Sequence, residues 1–251
     1  MTTLHRACRA EWTKLRTDPA AWWLLFGLVA VTVGVGAAVA AGAHCPPTGC
    51  ARDRVPLALS GVTVGQALAA VCAVLLVGGE YATGQIRTTL AAVPRRGAVL
   101  AAKATVLTGA VLAAGAFAVP VTLLTTRPLL PDPPSLTDGP TLRAAAGTVL
   151  YLALIALLAL GLATALRDSA AATGAVLALL YLFPLLAHVV TDPDLQRLLA
   201  RIGPMQAGLA IQATTHLDRL PIAPWPGLGV LTLWTAGALL LGATLLRLRD
   251  A

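Results

Sequence analysis

The chain has 251 residues, of which 57% are hydrophobic and only 12% charged, with a formal net charge of +7. A soluble domain carries about 25% charged residues, and here the apolar residues run through the whole length, so a water-soluble globular protein is excluded and a polytopic membrane protein is the natural class. The positive charge does not point to nucleic acid, because the basic residues never build an interleaved basic and aromatic face; in a membrane protein they mark cytoplasmic loops.

In chain order, residues 1–18 come first. On a helical wheel Leu4, Cys8, Trp12 and Leu15 fall on one side, with Arg6, Arg9, Thr13 and Arg16 opposite. That is the pattern of an amphipathic helix lying in the membrane interface; the alternative is a basic leader that only sets topology. Glu11 sits close to the apolar side and breaks the pattern. Asp18-Pro19 reads as an N-cap followed by proline at the first helical position.

A bilayer core of about 30 Å needs about 20 apolar residues. Six segments meet that standard with no ionisable residue in the middle: Ala20 to Ala43, Val55 to Gly79, Ala104 to Thr126, Ala144 to Leu166, Ser169 to Val190, and Trp225 to Leu246. The first run exceeds the about 7–15 residues of a signal h-region, so it is expected to remain as a span, although Ala41-Gly42-Ala43 resembles a cleavage site. With aromatic residues at only 4%, close helix packing falls to Ala and Gly. Pro120 and Pro184, inside the third and fifth spans, each remove a helical hydrogen bond and predict a kink.

The connections carry the polar residues. After span one, "HCPPTGCARDR" places Cys45 and Cys50 in a tight loop that a disulfide could close on an oxidising side. His44 alone does not complete a four-ligand metal site, so no metal is expected. Cys8 and Cys72 read as small apolar residues. Between spans two and three, "GGEYATGQIRTTLAAVPRRG" gives a short helix over Gln85 to Val93, stopped by Pro94, with Arg95, Arg96 and Lys103 anchoring the return at lipid headgroups. Residues 191–224 predict short helices over the mouth of the bundle, with Leu195, Leu198, Leu199 and Ile202 at helical spacing, Arg197 and Arg201 opposite, and a break at Gly203-Pro204.

Six spans put both termini on one side. That side would hold the N-terminus, residues 80–103, the Arg167-Asp168 turn and the C-terminus, with 11 basic and 5 acidic residues against 7 and 6 on the other. The positive-inside rule makes it cytoplasmic.

Absences narrow the chemistry. A P-loop needs Gly-Lys-Ser/Thr, and the only lysines are Lys14 and Lys103, so the chain cannot hold such an ATP site. Ion-coupled transport calls for an ionisable residue near mid-membrane; His188, near one end of span five, is the sole candidate. Ser60 could approach His188 but lacks a Gly-x-Ser-x-Gly context, and no His-Glu-x-x-His occurs. No catalytic or cofactor-binding residue is expected, and the chain is not read as an enzyme.

Four stretches carry a family resemblance: the leader "RAEWTKLRT", "GGEYATGQIRTTLAAVPRRGAVLAAK", "PWPGLGVLTLW" and the closing "LLRLRDA". Together, in order over essentially the whole chain, they resemble actinobacterial permease subunits of the ABC-2 type exporter family. The resemblance implies a single all-α transmembrane domain over 1–251. Within it, 1–18 would be an interfacial elbow helix, 80–96 the cytoplasmic coupling segment, and 191–224 the outer-loop helices. Glu80, Tyr81, Thr83, Gly84, Arg87 and Thr88 would meet a separate ATP-hydrolysing subunit, which would bind the ATP and Mg. A second permease subunit, identical or different, would complete the path in a bacterial cell membrane, with bilayer lipid around it. The Cys45–Cys50 loop departs from the family pattern. An ion-coupled secondary transporter and a non-transporting scaffold or immunity protein stay open as alternatives.

Overall fold

A computed structural model describes residues 3–43, 53–92, 95–130 and 133–248. His44, Cys45, Cys50, Val93 and Pro94 lie outside the described residues, and with them the expected disulfide and the stop at Pro94; so does the side chain of His188. Among the described residues the regular structure is entirely helical. Six helical stretches are long and apolar enough to cross a membrane: Pro19–Ala41, Arg54–Ala82, Arg96–Leu129, Gly139–Leu166, Ser169–Ala187 and Pro224–Leu248. The chain is an all-α, multi-pass transmembrane protein.

Helix α1 (Thr3–Thr17) precedes the first span, α2 (Pro19–Ala41). The join is set by Asp18, whose extended backbone and carboxylate accept the Ala20 N–H at 3.0 Å, with Pro19 at the first helical position. Helix α3 (Arg54–Ala58) runs through a 3-10 turn, Leu59–Gly61, into α4 (Val62–Ala82) as one span. Gly84, at φ +71°, turns the chain into the short α5 (Gln85–Ala92), a left-handed conformation that glycine adopts without steric cost. Helix α6 (Arg96–Thr126) contains Pro120 and continues through it. Helix α7 (Gly139–Leu166) ends at Arg167, left-handed at φ +61°, and Asp168 at once caps α8 (Ser169–Val189) by accepting the Ala171 N–H at 2.7 Å. Helix α8 likewise runs on through Pro184. Helices α9 (Pro193–Ile202) and α10 (Pro204–Leu209) lead to the last span, α11 (Pro224–Leu248).

Burial orders these spans. The most apolar window of α7 is 67% buried, against 17% for α8, so α7 is the central post and α2, α8 and α11 stand outside it. Tyr151, Leu152, Ile155, Leu158 and Leu160 of α7 are fully buried, whereas Trp23, Phe26, Leu185, Val189 and Leu233 face outward. Lipid tails are as apolar as leucine, so helices in a bilayer associate through close fit rather than through expulsion of water. The α7–α11 contact shows it: a Cβ on Gly161 would lie 2.5 Å from the Ala238 carbonyl carbon, so the two backbones touch.

The helices after span five correct the sequence expectation in part. Helix α9 has no buried residue. Helix α10 does not lie over the bundle but enters it: Pro204, Met205, Ala207 and Gly208 are buried, and a Cβ on Gly208 would meet the Tyr151 ring at 2.6 Å. The segment after α10 is pinned to the start of α3. Asp53 accepts from the Thr214 and Thr215 N–H groups and the Thr214 hydroxyl while capping α3 at Val55, and Arg143 donates to the Ala213 carbonyl.

Candidate functional site

The side chains that carry charge into the bundle meet at the α1 end of the molecule. Helix α1 presents Ala7, Glu11 and Leu15 inward, one residue per turn, each at most 5% exposed. Leu4 and Trp12, on the apolar side of the helical wheel, are exposed at 44% and 49%, whereas Leu15 from the same side is buried. Glu11, the residue that breaks the apolar pattern, is among those the bundle receives.

Its receptors are two ammonium groups. Lys14 Nζ lies 2.8 Å from one Glu11 oxygen, and Lys103 Nζ lies 2.9 Å from the other. The same two ammoniums converge on Glu80 Oε1, at 2.6 Å from Lys14 and 2.7 Å from Lys103. Two carboxylates and two ammoniums thus close a ring with no net charge, joining α1, the end of α4 and the first third of α6. Lys14 also donates to Thr89 Oγ1 at 3.3 Å, which brings α5 into the junction. Burying single ions costs several kcal/mol each, and only mutual pairing with good geometry offsets that cost. Here the Glu11, Glu80 and Lys103 side chains are 2%, 6% and 4% exposed, and Lys14 alone reaches solvent. Burial pushes the Lys14 pKa down, but hydrogen bonds and charge from Glu11 and Glu80 outweigh it, and the net shift is upward.

The expected site residues separate into two groups. Thr83, Gly84, Arg87 and Thr88 are exposed and form the rim of the α4–α5 turn; the Thr83 and Thr88 hydroxyls donate to Gly79 and Gln85 carbonyls within that rim, each at 2.8 Å. Glu80 is not on this surface but inside the ring. Tyr81 is partly covered, with the Arg167 guanidinium 5.5 Å from its ring centroid, a cation–π distance. Helix α5 seats itself through Ile86, which is 5% exposed.

The expected headgroup anchors also divide. Arg95 is exposed. Lys103 is corrected: its ammonium points into the ring, because two buried carboxylates hold it there. Arg96 is partly exposed, and its guanidinium donates to the Leu246 carbonyl at 2.7 Å. Arg167 donates in parallel to Leu245 at 3.3 Å. Both cations therefore sit at the carbonyl end of α11, where a helix leaves acceptors unpaired and carries partial negative charge.

One further polar group escaped the sequence reading. Near the middle of the Arg54–Ala82 span, Gln66 accepts the Tyr151 hydroxyl and donates to the Thr63 carbonyl at 3.0 Å, and the Tyr181 hydroxyl donates to the same carbonyl. Gln66 and Tyr151 are fully buried. This uncharged node ties α4, α7 and α8. Its signal in the sequence was a lone glutamine in an apolar run, which does not announce its partners.

The fold and these sites define a helical multi-pass membrane protein with a buried charged junction at one end and an uncharged polar node near mid-span. No family model matches the sequence, and comparison with curated proteins gives no match either.

Proposed function

We propose that this chain is the membrane-spanning permease subunit of an ATP-driven exporter of the ABC-2 type. It would form half of a translocation path and take its energy from a separate ATPase subunit that binds ATP and Mg. The observation that supports this reading best is the mounting of α5. A short exposed rim of Thr83, Gly84, Arg87 and Thr88 stands on a ring of buried ion pairs that reaches α1, α4 and α6. A push on the rim is delivered to two spans and the interfacial helix at once. Both termini and α5 lie on the cytoplasmic side by the distribution of basic residues.

In this reading, closure of the ATPase subunits on ATP drives α5 toward the bilayer. The two permease bundles then rock as rigid bodies between inward and outward openings. Cargo moves only if its affinity differs between those two states. Ion-coupled transport is the weaker reading, because the ionised groups cluster where the spans begin and end, and the node near mid-span, Gln66 with Tyr151, carries no carboxylate or ammonium.

The test is a pull-down of the tagged protein from its native membrane, wild type beside Arg87→Glu, read for a nucleotide-binding subunit. Co-purification with wild type and its loss in the variant is the expected result. Absence of any ATPase with either protein in mild detergent overturns the proposal in favour of a scaffold.

A further inference from the structure

A groove of about 510 Å3 opens between α7, α8 and α11 across the middle of the spans, with the last turn of α9 at its mouth. Leu158, Leu162, Leu179 and Leu241 line its depth, and Trp234 forms one side. Along α11 it runs from Val230 to Leu241, about 16 Å at 1.5 Å per residue. That is about half of a 30 Å hydrocarbon core, the reach of one extended acyl chain.

The groove is apolar throughout except at its mouth, where Arg201 stands. The Arg201 Nε donates to the Pro221 carbonyl at 2.7 Å, which fixes the guanidinium in place. Its two terminal nitrogens make no hydrogen bond or ion pair among the described residues. The neighbouring carboxylate on α9, Asp194, is already paired with Arg197 at 3.3 Å. Trp234 is held too: its indole N–H donates to the Ile202 carbonyl at 2.9 Å, and its ring meets Phe183 edge to face at 6.3 Å. Helix α9 itself exposes Leu195, Leu198 and Ile202 alongside Arg197 and Arg201, the composition of a helix lying in the headgroup plane.

A ligand that fits must be apolar over about that length and anionic at one end. A guanidinium with two free N–H edges takes a phosphate in bidentate fashion. We propose that the groove binds one anionic phospholipid of the surrounding leaflet, an acyl chain along α11 and its phosphate on Arg201. The inference is independent of whether the chain exports anything.

The test uses full-length protein in nanodiscs with Trp234 as the only tryptophan, the other four replaced by Phe. Phospholipids with brominated acyl chains, phosphatidylglycerol or phosphatidylcholine, are mixed into unlabelled lipid, and quenching is followed. Brominated phosphatidylglycerol is expected to quench at a mole fraction about tenfold lower, since both lipids offer a phosphate but the choline ammonium of phosphatidylcholine offsets its charge beside Arg201. Arg201→Gln should erase that preference and Arg201→Lys should keep part of it. Gly237→Leu, at a position where an added Cβ meets nothing within 4 Å, should fill the groove and weaken quenching by both lipids. Native mass spectrometry of the unaltered protein, counting retained phosphatidylglycerol against phosphatidylcholine, gives the same comparison without tryptophan changes. Equal quenching by the two lipids, or a preference that survives Arg201→Gln, overturns the proposal. So does the absence of quenching by either, which would mean that another protein surface, such as a second copy, covers the groove.

Discussion

Lys103 is where one atom has the largest leverage. Its ammonium is shared by Glu11 and Glu80 in a site closed to water, and deleting one member of a buried ion set strands the others. Lys103→Met is expected to destabilise the protein by about 3–5 kcal/mol, read as a lowered melting temperature in detergent. Glu80→Gln combined with Lys103→Met should cost less than the sum of the single changes, because each removes a charge the other would leave unpaired. Lys14 differs, being 36% exposed; Lys14→Met should cost about 1 kcal/mol, since water screens much of its pairing. Its folded pKa lies above the ordinary 10.5, so its contribution is present in full below pH 10.5 and is lost as pH rises through the higher folded value. The gap in melting temperature between wild type and Lys14→Met should therefore stay constant from pH 7 to 9 and narrow only in stronger alkali. The sequence exposed half of this junction. Glu11 was visibly out of place on its helix, and Lys14 lies one turn on from it, but its other receptor, Lys103, is 92 residues further on, and no local pattern connects such positions.

At the scale of the element, α5 and α10 illustrate what patterning can and cannot convey. A polar segment flanked by two apolar runs, with glycine at one end and proline and arginines at the other, is conspicuous, and the helix Gln85–Ala92 stands where the sequence placed it. What patterning could not convey was the division of that segment into an exposed rim and a buried root, because Glu80 and Arg87 are equally polar on paper. Helix α10 is six residues of Pro, Met, Gln, Ala, Gly and Leu, a composition that suits a surface turn or a buried wedge alike. Only the fit of Gly208 against Tyr151 decides it. Gly208→Val should therefore unseat α10, at about 1–3 kcal/mol for overpacking, and expose Met205. A Met205→Cys reporter should react with a polar maleimide faster in that background than alone.

At the scale of the whole molecule, the six spans were legible because each is a run of about 20 apolar residues, the strongest signal a sequence offers. Their packing order was not. Central α7 and peripheral α8 are similarly apolar, and what separates them is the spacing of residues such as Gly161 that admit a neighbouring backbone. Sidedness is a separate matter, resting on charge distribution alone. Single cysteines at Arg87 and Arg197, in a background with the native cysteines replaced, should respond oppositely to a membrane-impermeant maleimide on intact cells: no labelling at 87 and labelling at 197.

The ring of ion pairs also has a history within each molecule's synthesis. Glu11 and Lys14 are made first, Glu80 comes only 23 residues before Lys103, and Lys103 follows Glu11 by 92 residues. At about 5–20 residues per second, that is a wait of about 5–20 s. Over the last 23 residues of it, about 1–5 s at that rate, two carboxylates share a single ammonium and have reason to stay in contact with water. The first helix can settle into its final seat only when the third span arrives with the missing cation. A nascent chain halted before that point, or one whose third span enters the membrane badly, keeps its amino-terminal helix loose and accessible. The junction is complete only once the third span is in place.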